Sequence, residues 1–296
     1  FFMKDNFNDL ATEKINSRIK KKSDSNEHLI GDFIDEYNDV GLILKKNKKK
    51  ISEAVNLFTK TFTKNGSIYF IGAGTSGRLG VLEAAECPPT FGTQPDRIVG
   101  LMAGGRSAVF KSKEGAEDSS TDSIRDLEAK NFNKNDLLIG ISASGKSTYV
   151  LSAIKYAKGL KAKTILICCN KLKKSVSYLD IVLDVGPEFV AGSTRLKSGT
   201  LTKNTLNIIT TISMIKLEKV YNNMMIDILP TTKKLKARCV RNLSNILSLN
   251  EKDSLKLLEK SKWNIRIAII IYKMDISFSK AKALYKKVSI IEILDG

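Results

Sequence analysis

Two stretches of the chain set hydroxyl groups among glycines, Gly72-Ala73-Gly74-Thr75-Ser76-Gly77 and Gly140-Ile141-Ser142-Ala143-Ser144-Gly145-Lys146-Ser147. A glycine turn that leads into a helix points backbone N–H groups at the positive end of the helix dipole, and nearby hydroxyls add donors, so each is a seat for a phosphate or other anion. A third set is acidic: Glu83 and Glu86 three residues apart, and Glu114, Glu117 and Asp118 in Glu114-Gly115-Ala116-Glu117-Asp118. Two carboxylates in a phosphate-binding cleft, one ionised and one protonated, supply a base and an acid. The chain's single histidine, His28, leaves no Ser-His-Asp triad, HExxH zinc site or histidine-rich metal cluster, so carboxylates are the natural acid/base groups. For any one glutamate, surface charge on a helix is the ordinary role. Glu86 stands apart because it precedes Cys87-Pro88-Pro89, a helix end expected to be packed.

The two turns fit rival motifs. Gly72-x-Gly74-x-x-Gly77 matches the dinucleotide fingerprint. A nicotinamide site also needs an acidic residue at the end of the second strand, where this chain has Leu101-Met102-Ala103-Gly104-Gly105. Gly140 to Ser147 satisfies GxxxxGK[ST], the phosphate loop of nucleotide hydrolases, with Asp184 as a magnesium aspartate. Against it, Ser142 and Ser144 give an S-x-S-G-x-[ST] pattern, and a nucleotide hydrolase has no use for the second hydroxyl turn. Two such turns at the carboxyl ends of parallel strands can instead converge on one phosphate.

The elements that must position these groups alternate. Apolar residues at helical spacing (Leu29, Phe33, Ile34, Tyr37, then Ile51, Val55, Phe58, Phe62) predict two amphipathic helices over 27–64, joined by an exposed turn at Lys45 to Lys50. Strands are expected at 68–71, 97–102, 136–141, 164–168 and 180–185. Helices are expected at 76–86 (ended by Pro88-Pro89), 107–117, 121–130 and 148–158. This alternation predicts an α/β fold, a three-layer αβα sandwich around a parallel sheet. A long helical stretch over 195–219 opens with Ser193-Thr194-Arg195-Leu196-Lys197. Beyond about 231, helical patterns at 235–247, 254–260, 265–272 and 278–287 make a small helical tail domain. The expected domains are 1–64 (N-terminal helices), 65–228 (phosphate-binding sheet domain) and 229–296 (tail). Phe1-Phe2, ahead of Met3, is set aside from the fold argument.

The 296 residues carry a net charge of +18, yet the lysines are spread among isoleucine and asparagine with no interleaved aromatics. That is a solvated lysine-rich surface rather than a nucleic-acid platform. Cys87, Cys168, Cys169 and Cys239 form no CxxC and are expected to be reduced thiols. With no signal peptide and no apolar run of about 18 residues, neither membrane insertion nor export is expected, and the location expected is the cytoplasm.

Taken together and in order, GAGTSGRLGVLEAAECPPTFG, GLMAGG, EGAEDS, GISASGKSTYV, GSTRLKSGT and KVYNNMMIDI resemble the N-acetylmuramic acid 6-phosphate etherase family of the sugar isomerase (SIS) fold group. The resemblance runs from Leu10-Ala11-Thr12-Glu13 through the helical tail. It implies a lyase that cleaves the D-lactyl ether at C3 of N-acetylmuramic acid 6-phosphate, giving N-acetylglucosamine 6-phosphate and D-lactate in amino-sugar catabolism and cell-wall recycling. No metal or redox cofactor is implied. By motif position Glu86 falls on the family's proton donor and Glu117 on its second catalytic glutamate. Thr75, Ser76, Ser142, Ser144 and Ser147 fall on the sugar-phosphate turns. Ser193, Arg195 and Lys197 are implied to line the same cleft, although a structural helix start suits them nearly as well. The resemblance also implies a homodimer with sites near the subunit interface. Departures are Lys146 and Ser147, where the family commonly has arginine and threonine, and Glu83, where it usually has aspartate. The rival readings are a non-catalytic sugar-phosphate sensor, since the glucokinase regulatory protein shares these turns, and a P-loop nucleotide hydrolase.

Overall fold

The computed structural model describes residues 9–17 and 25–296. Phe1-Phe2 and part of the expected N-terminal segment lie outside the described residues. By packing, the chain divides into two compact units, one running to Ala85 and resuming over Asp96–Thr210, the other formed by Glu86–Pro95 and Thr211–Gly296.

The first unit is built on five parallel strands, β1 (Ile68–Gly72), β2 (Ile98–Met102), β3 (Leu137–Ile141), β4 (Lys163–Cys168) and β5 (Leu179–Val182), in the order β2-β1-β3-β4-β5. β1 and β3 are buried along their whole length, as unbroken apolar β-branched and aromatic runs require when both faces are covered. One face packs Ile71, Leu138, Leu166 and Leu101 with Tyr149, Val150 and Ile154 of α7 (Thr148–Gly159) and Leu127 of α6 (Ser120–Glu128). On the other face, α3 (Lys48–Thr63) packs on β1, β3 and β5. There α4 (Gly74–Phe91) comes so close that a Cβ on Gly80 would lie 2.9 Å from Phe70 Cβ. The expected three-layer αβα sandwich is present. Each fully buried Ile, Leu or Phe in it contributes roughly 1.5–3 kcal/mol.

Several expectations are corrected. Over the expected 27–64 stretch the described residues form three helices, α1 (Asn26–Asp35), α2 (Val40–Lys46) and α3, and only Asn47 separates α2 from α3. The Lys45 to Lys50 run is therefore helical rather than a turn, because lysine is a good helix former and its charges stay in solvent. α4 does not stop before Pro88-Pro89 but runs through them to Phe91. It survives because the prolines fall in its last turns, Gly92 N–H donates to Pro88 O at 3.0 Å, and Cys87 and Phe91 are buried. The 107–117 segment is a short α5 (Arg106–Phe110) and a 3₁₀ turn at Ala116–Asp118. Within the compact units, α3 groups with the sheet and 86–95 groups with the tail.

After Glu86–Pro95, the second unit resumes within α8 (Lys197–Lys216). It continues through a hairpin, β6 (Val220–Tyr221) and β7 (Met224–Met225), that lies between the expected helical stretch ending at 219 and the expected tail. Asn222 and Asn223 take the positive φ values, 43° and 62°, of a tight two-residue turn. Five helices follow, α9 (Lys233–Leu247), α10 (Glu251–Lys260), α11 (Ile265–Met274), α12 (Phe278–Leu284) and α13 (Ile290–Asp295), one more than expected. Side chains of Thr232, Asn250, Asn264, Ser277 and Ser289 cap them, each cap worth about 1 kcal/mol. Their core is Leu243, Leu258, Ala268, Ile269, Ile270 and Ile290. The four cysteines are buried thiols rather than disulfides.

Candidate active site

The strand order makes β1 and β3 neighbours at the point where the chain reverses direction across the sheet, with Gly72 paired to Ile141. In such sheets ligands bind outside the carboxyl ends of the strands at this switch point. Both hydroxyl turns leave from it. In the first turn, a Cβ on Gly77 would lie 2.6 Å from Gly72 O, so the two glycines let the start of α4 press against the end of β1. Thr75 and Ser76 open the helix there, half-buried. The Thr75 methyl lies 3.7 Å from where a Cβ on Gly199 would stand, so α8 meets the first turn at a residue without a side chain.

In the second turn the serines shape their own loop. Ser142 Oγ accepts from Gly145 N–H at 3.1 Å and from Ser147 N–H at 3.4 Å, and Ser144 Oγ accepts from Lys146 N–H at 3.1 Å. The two hydroxyls also lie 3.4 Å apart, so one donates to the other and the remaining proton is left for an anion. These bonds tell against the nucleotide loop, whose amides must face phosphate. Gly140 is moreover a strand residue pressed against α7, not part of a loop, and Asp184 is ion-paired with Lys171 at 3.3 Å.

The acidic segment meets the second turn directly. Ser147 Oγ donates to Glu117 O at 3.4 Å, and Gly115 at φ 72° turns the chain into the 3₁₀ turn that carries Glu117. Glu114 and Glu117 line a cavity of about 180 Å³ together with Gly74, Arg78 and Lys113. Partial desolvation holds the Glu117 carboxyl above its ordinary range, and the charges of Asp118 and Glu114 push it the same way. Sequence reading missed Arg78 and Lys113. Arg78 donates to Val109 O at 2.9 Å and Ala108 O at 2.8 Å, and Lys113 to Gly104 O at 2.8 Å, so both hold the cavity wall while bringing positive charge to it.

Glu83 and Glu86, paired by spacing, part company. Glu83 is buried and accepts from Asn207 Nδ2 at 2.6 Å and from the Thr210 hydroxyl, which fastens α4 to α8. Glu86 is exposed near the end of α4 and is the first residue of the second unit.

Around Ser193 the pattern also divides. Arg195 is exposed, whereas Lys197 is buried and ion-paired with Glu36 at 3.0 Å. The fully buried Glu188 accepts from the backbone N–H groups of Lys197 and Ser198 at 3.0 and 2.9 Å, so its carboxylate occupies the amino end of α8. Asn170 is a further residue the motifs did not flag, and Thr12 one to which they gave no role. Asn170 stands just beyond β4, at the same end of the sheet as the turns, and its amide donates to Ala143 O at 3.0 Å.

Comparison with known proteins fits this arrangement. A model described as the glucokinase regulatory protein N-terminal SIS domain matches residues 50–158, and the SIS domain model matches 115–213. A protein of Geobacillus thermodenitrificans named N-acetylmuramic acid 6-phosphate etherase is 40% identical over 276 residues, 92% of this chain and 94% of its own length. The chain belongs to the N-acetylmuramic acid 6-phosphate etherase family. A second member, N-acetylmuramic acid 6-phosphate etherase 1 of Bacillus licheniformis, is 41% identical over 281 residues, 94% of this chain and 92% of its own. Among solved structures, a protein of E. coli CFT073 superposes with a TM-score of 0.51 at 17% identity, covering 69% of this chain and 97% of that one. This last likeness is one of fold. The etherase family and the SIS sheet thus coincide in one chain, with the hydroxyl turns at the switch point of that sheet.

Proposed function

We propose that the chain is a carbon–oxygen lyase acting on N-acetylmuramic acid 6-phosphate, with release of D-lactate and N-acetylglucosamine 6-phosphate. The observation that carries the reading is the bond from Ser147 Oγ to Glu117 O, which ties an acidic segment to a phosphate-type turn at the switch point. Thr75, Ser76, Ser142, Ser144 and Ser147 hold the phosphate. In the open-chain aldehyde the C2 proton is acidic, and the Glu117 carboxylate, made more basic by its surroundings, removes it. The C3–O bond breaks as Glu86 protonates the departing lactate oxygen. Water then adds at C3 of the unsaturated aldehyde and a proton returns to C2, so one water is consumed per ether cleaved. Carbonyl activation comes from the substrate, and the reading invokes neither metal nor redox cofactor.

Arg195 is the open cation nearest to this role in its loop, while Lys197 enters the proposal through Glu36, as part of what fixes the start of α8. A homodimer belongs to the same reading. It is supported by Leu29, Ile30 and Ile34 of α1, which are exposed rather than packed. A cytoplasmic site of action belongs to it too; among the described residues no helix is long and apolar enough to cross a membrane.

The test is D-lactate release by the purified chain, parent against Glu86→Gln. Glu86→Gln is expected to lose roughly 10²–10⁴-fold in turnover, the usual worth of a positioned acid or base, and to keep its affinity for N-acetylglucosamine 6-phosphate. Near-parental turnover in that variant removes Glu86 from the chemistry. A parent that binds the sugar phosphate but releases no lactate is a sensor instead.

A further inference from the structure

The turn of α4 that carries Glu86 is short of hydrogen bonds. Pro88 and Pro89 have no N–H to give to the carbonyls of Ala84 and Ala85, so the helix ladder is interrupted on both sides of Glu86. Something other than the ladder must fix this turn. Within the second unit the answer is a backbone contact: Gly92, at φ 62°, lies so close to Asp227 that a Cβ there would stand 2.2 Å from Asp227 O. The carboxylate of Asp227 is held in turn by Lys219 at 2.7 Å and Arg266 at 2.9 Å, all three side chains less than one-fifth exposed. Arg266 also donates to Glu218 O, and Ile226 N–H donates to Lys219 O at 3.1 Å. The Asp227 backbone is therefore a fixed stop, which the helix end, with Cys87 and Phe91 buried, meets at Gly92.

We infer that Gly92 and the Lys219–Asp227–Arg266 cluster are positioning residues for Glu86. Within the second unit, the helical tail thereby fixes the turn of α4 that carries Glu86. The inference rests on the proposed role of Glu86. It accounts for a glycine directly after the diproline turn, where any side chain would drive the helix end off its stop.

The experiment compares Gly92→Ala, Lys219→Met and Lys219→Arg in the full chain, with Glu86→Gln assayed alongside. A displacement of about 1 Å in a catalytic group can cost on the order of 10²-fold, so Gly92→Ala is expected to lower kcat by tenfold or more. KM and product affinity should change less than about twofold, because uniform binding is untouched. Lys219→Met should lower kcat by a smaller factor at unchanged KM, and Lys219→Arg should restore it. Should Gly92→Ala fail to fold, the Lys219 pair decides by the same kcat-against-KM criterion. Parental kcat in both Gly92→Ala and Lys219→Met, or a rise in KM at parental kcat, overturns the inference. If Glu86→Gln itself turns over normally, the reading of Glu86 has failed, whatever Gly92→Ala does.

Discussion

Asn170 Nδ2 donates to Thr12 Oγ1 at 3.1 Å, and Asn170 Oδ1 accepts from Thr12 N–H at 3.3 Å. The same amide group reaches Ala143 O between the two serines of the second turn, and Gly192 N–H donates to Thr12 O at 2.8 Å. A segment near residue 12 is therefore the knot that joins the serine turn to the loop carrying Ser193 and Arg195. Both side chains are buried, so no water can take the place of either partner.

Asn170→Ala is accordingly expected to weaken sugar-phosphate binding. Three hydrogen bonds are lost and Ala143 O is left without this donor, each orphaned buried group costing about 1–3 kcal/mol. A KM raised about tenfold with kcat held within threefold is the expected result in lactate-release kinetics, on the scale of one such group. An unchanged KM would show that the turn keeps its shape without the knot.

The raised Glu117 carboxyl has two readable consequences. The acidic limb of kcat/KM should lie above the ordinary glutamate value of about 4.3, and Asp118→Asn should move it down by removing a neighbouring negative charge. The sign for stability is opposite to that of a salt-bridged carboxylate. A carboxyl raised in the folded state favours folding while protonated, and that contribution is lost as pH rises through the folded value. Glu117→Gln should therefore unfold at higher urea than the parent at neutral pH and match it near pH 3.

Lys197 and Glu36 form a buried pair with side chains 6% and 4% exposed. Breaking such a pair from one side leaves an uncompensated charge and costs about 3–5 kcal/mol. Lys197→Met should show that loss in a denaturant titration. Combining it with Glu36→Met should recover most of it, with KM close to the parental value. A double variant that is stable yet no longer binds the sugar phosphate would place the Lys197 ammonium on the substrate instead.

Glu83 is the structural member of the Glu83/Glu86 couple. Glu83→Leu removes the acceptor of Asn207 and Thr210 at the α4–α8 contact and should cost about 2 kcal/mol or more in chemical unfolding. The variant that remains folded should keep parental kcat, in contrast to Glu86→Gln three residues further on.

What the sequence determined by itself is local. The strand–turn–helix units, the hydroxyls in both turns, the carboxylates near them and the parallel sheet follow from periodicity, from glycine in tight turns and from which side chains can donate or accept. Family membership was also legible, because ECPPT and EGAED keep their spacing. The tertiary structure alone decided which partners distant groups would find. It set β1 beside β3, so that the turns at 72–77 and 142–147 share one switch point. It gave the Lys197 ammonium to Glu36, 161 positions away, and the amino end of α8 to Glu188. It carried α4 through Pro88-Pro89, because burial of Cys87 and Phe91 and the stop at Asp227 outweigh two missing hydrogen bonds that local propensity counts in full. Local rules fix which conformations a segment prefers and which bonds a side chain can make. Long-range packing fixes which of those bonds are made, since burying a charge or an amide is tolerable only where its partner has been brought to meet it.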